Sequence, residues 1–249
     1  MLRILILTLG ALSFTAAECS RESLMATAEL YIAAQASGKM DDFKKVWADG
    51  ITYMENNKKG AVTGGVLNKA LKLDHNRTTA DSANCVTFTE LVSTAGPYVL
   101  GTQLHTADGK VTSIDIIAAT TGSWSFNAKT TLSHFGTEDW GVLEPSQRPT
   151  RQLLKDSIDA YLNMWSNSSA KGLIPWGTPC ARTEGSMYVT PDCRAGAPDG
   201  GSMQIGNRRY VIDEVTGSAE SFCSFGGMPD SHEMRIVDGK VKLVHTITV

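Results

Sequence analysis

Thr150-Arg151-Gln152-Leu153-Leu154 opens a run with helical spacing that reaches Tyr161, and Ser20-Arg21-Glu22-Ser23-Leu24 opens another that reaches Tyr31. Arg21 to Arg151 and Tyr31 to Tyr161 are both steps of 130 residues. Asp108-Gly109-Lys110 and Asp238-Gly239-Lys240 keep that step, while Trp47 to Trp176 and Glu55 to Glu184 shorten it to 129. Each match is weak alone, but an ordered ladder of them marks a duplicated unit. The expected organisation is a leader over 1–17, a first unit over 18–140 and a second over 141–249.

Within each unit, helices precede strands. Residues 20–36 put Leu24, Ala28, Tyr31 and Ile32 on one face, with Ser20 as N-cap and Gly38 near the end. Met40 to Ala48 reads as a second short helix, Ile51 to Glu55 as extended chain and Val66 to Leu73 as a third helix. Strand-like runs at 85–93, 97–106 and 111–119 follow, the last two joined by a turn at Ala107-Asp108-Gly109. The second copy gives a helix over 150–166, extended chain at 181–189, and strands near 208–215, 218–225, 231–237 and 241–248. A loop rich in Gly, Ala and Pro at 194–201 stands where the third helix would be. Helices followed by a long antiparallel sheet make each unit α+β.

The chain has 249 residues, 42% of them hydrophobic, and a formal net charge of −3. That apolar share supports a packed core and excludes a chiefly disordered chain. Charge this close to neutral excludes the electrostatic footprint of a nucleic-acid partner. The opening MLRILILTLGALSFTAAEC pairs Arg3 with an apolar run from Ile4 to Phe14 and then small residues at Thr15, Ala16 and Ala17. This is the pattern of a secretory signal peptide cleaved after Ala17, and the apolar run is too short to span a bilayer. A secreted product with no membrane partner is expected.

Secretion makes the five cysteines disulfide candidates before metal ligands. Cys180 and Cys193 flank a hairpin-sized segment and are expected to pair, with Cys19 to Cys85 as the complement and Cys223, in Ser221-Phe222-Cys223-Ser224-Phe225, left free. No CxxC occurs, so no metal site is expected. Sequons at Asn76-Arg77-Thr78 and Asn167-Ser168-Ser169 make Asn76 and Asn167 candidate glycosylation sites.

The element order resembles the cone-shaped barrels of the nuclear transport factor 2-like superfamily, which includes ketosteroid isomerase, scytalone dehydratase and SnoaL-type polyketide cyclases. Such units often pair through the outer face of the sheet. Ile114-Asp115-Ile116-Ile117-Ala118 and Leu243-Val244-His245-Thr246-Ile247 are apolar nearly throughout, which suits strands covered on both faces. The resemblance therefore implies two tandem cone-shaped barrels related by a pseudo-twofold axis. Residues 175–185 (PWGTPCARTEG), 207–214 (NRRYVIDE), 229–236 (PDSHEMRI) and 239–249 (GKVKLVHTITV) also resemble a family of secreted fungal proteins. Glu55 and Ser186 depart from that family's pattern. The resemblance brings no catalytic residues with it.

In cone-barrel enzymes the pocket lies between the helices and the concave sheet, where polar side chains do acid–base work. Residues two apart on a strand share a face, so Tyr53 sits with Glu55 and Arg182 with Glu184. Glu55, lacking a neighbouring cation, is the candidate proton shuttle with Tyr53 beside it. Glu184 and Arg182 are candidates for substrate anchoring, as is His232 at the start of a strand. A bonded strand-edge carboxylate or a structural ion pair is the competing account of both glutamates. His245 lies on the most apolar face of the last strand, and its counterpart 130 residues earlier is Asp115. The two are candidate catalytic partners if they meet between units, and otherwise core groups. Arg77 with Asp81 and Arg209 with Asp213 repeat a spacing too long for a direct pair within one strand, which points to pairing across strands. The five tryptophans are too dispersed for a carbohydrate platform and read as core or pocket wall.

The sequence lacks the nucleophile elbow GxSxG, the P-loop, the dinucleotide GxGxxG, HExxH and the zinc-deaminase pattern. The expectation is a cofactor-independent isomerase, lyase or cyclase of secondary metabolism, acting on a hydrophobic oxygenated polyketide- or terpenoid-like molecule. The alternative is a secreted, non-catalytic small-molecule carrier or effector using the same pockets.

Overall fold

Both opening helices begin as their caps dictate. In the computed structural model, which describes residues 19–249, Ser20 accepts a hydrogen bond from the Ser23 N–H and Thr150 accepts one from the Leu153 N–H. The expected leader lies outside the described residues. Helix α1 (Arg21–Ser37) buries Leu24, Ala28, Tyr31 and Ala34 and stops at Gly38, which takes φ 70°. Helix α4 (Arg151–Asn163) buries Leu154, Ile158 and Tyr161 in the same way.

After α1 come a short helix α2 (Asp41–Lys44) and strands β1 (Trp47–Glu55), β2 (Lys58–Gly60), β3 (His75–Asp81), β4 (Val86–Ser93), β5 (Tyr98–Ala107) and β6 (Lys110–Thr120). Helix α3 (Ala128–Phe135) leads to α4, followed by β7 (Trp176–Glu184), β8 (Met187–Val189), β9 (Ile205–Asp213), β10 (Ser218–Phe225), β11 (Met228–Val237) and β12 (Lys240–Thr248). Each unit forms one six-stranded sheet, in the orders β2-β1-β6-β5-β4-β3 and β8-β7-β12-β11-β10-β9. The first long strand runs parallel to the last in both, and every other pairing is antiparallel. The fold is α+β: two tandem cones, each a curved sheet with its opening helix on the concave side.

Three expectations change. The third helix at 66–73 is a single 3-10 turn, Val66–Asn68, because Gly64 and Gly65 lead into it and the chain extends again at Lys69. The second helix ends at Lys44, and Trp47 already belongs to β1. Strand β3 and helix α3 add to the expected elements, since His75-Asn76-Arg77-Thr78-Thr79 is too polar to read as strand and Ala128–Phe135 follows the last expected strand of the first unit.

The cones pack through their convex sheet faces. Val86, Phe88, Val99 and Ile117 of the first meet Val211, Phe222 and Ile247 of the second in one apolar cluster. The approach is close at Gly101, where a Cβ would lie 2.8 Å from the Phe88 ring and 3.2 Å from that of Phe222. The interface is reciprocal. Arg21 reaches across to Asp213 at 2.6 Å, and Arg151 reaches back to Asp81 at 2.6 Å. Asp213 also accepts the Ala80 N–H, and Asp81 the Ile212 N–H, at 3.0 and 3.1 Å. Equivalent residues contacting each other in both directions are the signature of a twofold relation. Disulfides Cys19–Cys85 and Cys180–Cys193 are formed, and Cys223 is free and buried.

Candidate functional site

Strand alternation sorts the polar residues onto two sides of each sheet. The concave side of the first cone is closed. Glu55 accepts hydrogen bonds from the Tyr53 hydroxyl and, at 2.8 Å, from the Val66 N–H. Gly65 lies so close that a Cβ there would fall 2.1 Å from the Glu55 carboxylate. Tyr53 is buried in the apolar cluster with Val66, Leu67, Leu91 and Leu100. Tyr53 and Glu55 are together, as the i, i+2 spacing requires. The carboxylate nevertheless anchors the 61–68 segment, which corrects the expectation of a pocket-facing proton shuttle.

The concave side of the second cone holds a cavity of about 180 Å³. Glu184, Asp230 and His232, with Thr246 and Thr248, form its polar part, and Trp124, Trp165, Met187 and Phe225 its apolar walls. Glu184 Oε1 lies 3.3 Å from Arg182 Nε and accepts a hydrogen bond from the Tyr161 hydroxyl at 3.3 Å. Arg182 is itself fixed by donating to the Ala195 carbonyl at 2.8 Å. Burial, and then the Glu184 charge, push the Tyr161 phenol well above its ordinary value, so it stays protonated. His232 Nδ1 is 3.1 Å from Asp230 Oδ2, and the ring lies against Tyr161 and Phe225 with centroids 5.5 and 5.7 Å away. His232 is therefore well inside β11 and not at its start.

The cavity draws on both units. Trp124 belongs to the loop leaving β6, and Ser186 clamps that loop by donating its N–H and hydroxyl to the Ser125 carbonyl at 2.9 and 2.6 Å. Gly185 permits the contact: a Cβ there would lie 2.9 Å from Ser125 O. A larger groove of about 460 Å³ runs beside α4, but its carboxylates Asp156 and Asp159 are engaged by Gln152 and by Lys155, Arg208 and Tyr210.

His245 and Asp115 face the interface, each paired with the opposite unit and not with each other. His245 Nδ1 lies 2.9 Å from Glu90 and Nε2 2.5 Å from Glu138, with the ring stacked on Phe135 at 3.7 Å. Burial pulls its pKa down, but Glu90 and Glu138 outweigh that and raise it to about 9. Arg77 joins the cluster, 3.1 Å from Glu90 and 2.5 Å from Glu233. Asp115 takes Arg209 at 2.7 Å. Expected as catalytic partners, His245 and Asp115 are instead buried members of ion pairs that join the two cones. Arg77 and Arg209 pair across units, and Asp81 and Asp213 are met by Arg151 and Arg21. Asn76 and Asn167 are exposed.

Trp124 and Trp165 are pocket wall, one of the two roles expected of the tryptophans, whereas Asp230 and Cys223 carry no sequence motif for this site. The same i, i+2 rule that joined Tyr53 to Glu55 would have joined Asp230 to His232.

Residues 147–248 match a family described as a domain of unknown function (DUF8021). Similar solved structures include AclR, a proposed hydroxylase from Streptomyces galilaeus, at 15% identity over 50% of this chain and 91% of that one, with a TM-score of 0.32. A nuclear transport factor 2-like protein from Shewanella baltica is 10% identical over 40% of this chain and 94% of that one, with a TM-score of 0.31. Another from Bacteroides fragilis is 8% identical over 87% of this chain and 98% of that one, with a TM-score of 0.23. No curated protein matches the chain.

Proposed function

We propose that the protein is a secreted enzyme of the isomerase, lyase or cyclase class, acting in the cavity of the second cone on a small, hydrophobic, oxygenated molecule. The observation that carries this reading is the Glu184 carboxylate beside Asp230 and His232 on one side of a cavity whose apolar walls are Trp124, Trp165, Met187 and Phe225. Such a cavity removes a ring system from water and leaves one end polar. Its volume of about 180 Å³ lies below the roughly 300–1,000 Å³ of drug-sized sites, which favours a compound of one or two rings. In this reading Glu184 takes a proton from the bound molecule and returns it to the product, while the Tyr161 hydroxyl donates to Oε1 at 3.3 Å and steadies the carboxylate before transfer. Positioned acid–base groups of this kind contribute about 10²–10⁴ in rate. Secretion is supported by the leader pattern and by two disulfides. No helix among the described residues is long and apolar enough to cross a membrane.

The test is incubation of the purified protein with a metabolite extract of the organism that makes it, followed by mass spectrometry and chromatography. Conversion of a ring compound to an isomer, or to a product lighter by water, supports the enzyme reading. Retention of a compound with no change in it contradicts that reading and makes the protein a carrier.

A further inference from the structure

The second cone gathers three side chains of metal-ligating chemistry at one spot. Cys223 on β10 lies directly opposite Asp230 on β11, and His232 follows Asp230 by two residues on the same face. Cys223 Sγ, a carboxylate oxygen of Asp230 and a ring nitrogen of His232 all lie within 4.8 Å of one another. His232 Nδ1 is 3.1 Å from Asp230 Oδ2 and 3.9 Å from Cys223 Sγ. Asp230 Oδ1 accepts from the Thr248 hydroxyl at 3.1 Å. Oδ2, in a residue with no exposed surface, accepts no hydrogen bond among the described residues, the His232 imidazole at 3.1 Å being its nearest polar neighbour. A fully buried carboxylate oxygen without a donor is a costly arrangement that calls for a partner.

The fold itself does not require these residues. In the first cone the same register positions hold Leu91 opposite Leu100, with Thr102 two residues on. Leu91 and Leu100 are apolar core, and the Thr102 hydroxyl is taken by Tyr31 at 2.7 Å. One copy of the unit thus packs these positions as core, and the other installs a thiol, a carboxylate and an imidazole.

We propose that Cys223, Asp230 and His232 bind a divalent transition-metal ion, with Zn²⁺ the best match to the donor set. Thiolate, carboxylate and imidazole are the donors Zn²⁺ takes, and three protein ligands with one open position are the form of its catalytic sites. Bonds of about 2.0–2.3 Å hold tetrahedral ligands roughly 3.3–3.8 Å apart, so the spacings here need only small side-chain adjustments. Asp230 and His232 line the cavity, which places the open position toward a water or a ligand oxygen. On binding, the Cys223 thiol releases its proton to solvent, and the two negative ligands balance the charge of the ion. The other cluster of ligating type, Glu90, Glu233 and His245, has its cation already in Arg77.

The site goes beyond the acid–base reading of Glu184 and is tested without turnover. The full chain, stripped with a chelator, is titrated with Zn²⁺ against a chromophoric competitor, and separately with Co²⁺ followed by absorption. One Zn²⁺ per chain is expected, with a thiolate-to-cobalt charge-transfer band in the near ultraviolet. Both are lost in Cys223→Ser, and in Asp230→Asn stoichiometric binding is lost. No stoichiometric uptake by the wild-type chain overturns the proposal, as does uptake without the charge-transfer band or full uptake by folded Asp230→Asn. Because the band is read on the wild-type protein, a variant that fails to fold does not shield the proposal.

Discussion

The two cones share a strand order and an opening helix, yet one is filled where the other is hollow. In the first, the 61–68 segment lies on the concave face and is held there by Glu55 through the Val66 N–H. In the second, the 194–201 loop rests on Arg182 through the Ala195 carbonyl at 2.8 Å and is tied down by Lys171 at the Ala197 carbonyl and Asp199, which leaves Glu184 on the cavity wall. The residues facing inward follow suit: Leu91, Leu100 and Thr102 in one, Cys223, Asp230 and His232 in the other. Duplication has separated two requirements that conflict in a single cone. The first copy serves as core and partner, which leaves the second able to carry buried polar groups whose desolvation lowers stability.

The sharpest way to break this comparison is to exchange the inward residues. Leu100→Asp puts a carboxylate into an apolar core without a partner and should destabilise by at least about 3 kcal/mol in denaturant titration. Asp230→Leu should cost less, about 1–2 kcal/mol, because it removes a carboxylate with one unbonded oxygen but leaves the Thr248 hydroxyl and His232 without their partner. Similar losses in both variants would show that the Asp230 position is structural.

Next in size is the ion cluster that ties His245 to Glu90 and Glu138, with Arg77, His75 and Glu233 around them. His245 has a folded pKa of about 9, above its unfolded value of about 6.5. Its contribution is therefore fully present below about pH 6.5 and is lost as pH rises through about 9. Glu90 is held well below the ordinary carboxylate range: Arg77 and His245 overcome the opposing effect of burial. Its contribution is present above about pH 4.3 and is lost on acidification. Thermal melts should show stability falling between about pH 6.5 and 9, a slope that His245→Phe removes. An unchanged slope in that variant would place the alkaline loss elsewhere.

The twofold relation is tested by its two bridges. Arg21→Ala and Arg151→Ala should each cost about 1–3 kcal/mol, since each leaves a buried carboxylate with only its remaining donors. The two losses should agree within about 0.5 kcal/mol. Loss in one variant alone would mean that only one bridge holds the interface. The smallest effect is expected for Glu55→Gln, about 1 kcal/mol or less, because the amide oxygen can still accept the Val66 N–H.

The repeat, the opening helices and the hairpin turns were legible because they depend on local rules: Ser20 caps, and Asp108-Gly109 and Asp238-Gly239 turn. Strand β3 has no legible local pattern because its polar residues serve the partner cone: Arg77 goes to Glu233 and Asp81 to Arg151. The matched positions of His245 and Asp115 were readable, but their partners were not, since Glu90 and Arg209 lie on the facing sheet. Strand spacing separated Glu55 from Glu184 only by the neighbouring Arg182 cation, which says nothing of what covers each carboxylate. What distinguishes them is where a distant loop rests, and that is decided by tertiary packing and not by strand spacing.

The measurement that bears most directly on the division of labour is a side-by-side metabolite assay of Glu55→Gln and Glu184→Gln, with circular dichroism establishing that both are folded. The account predicts that conversion of the ring compound persists in Glu55→Gln and falls by about 10²-fold or more in Glu184→Gln. Conversion abolished in Glu55→Gln but intact in Glu184→Gln would contradict it and return the active site to the first cone.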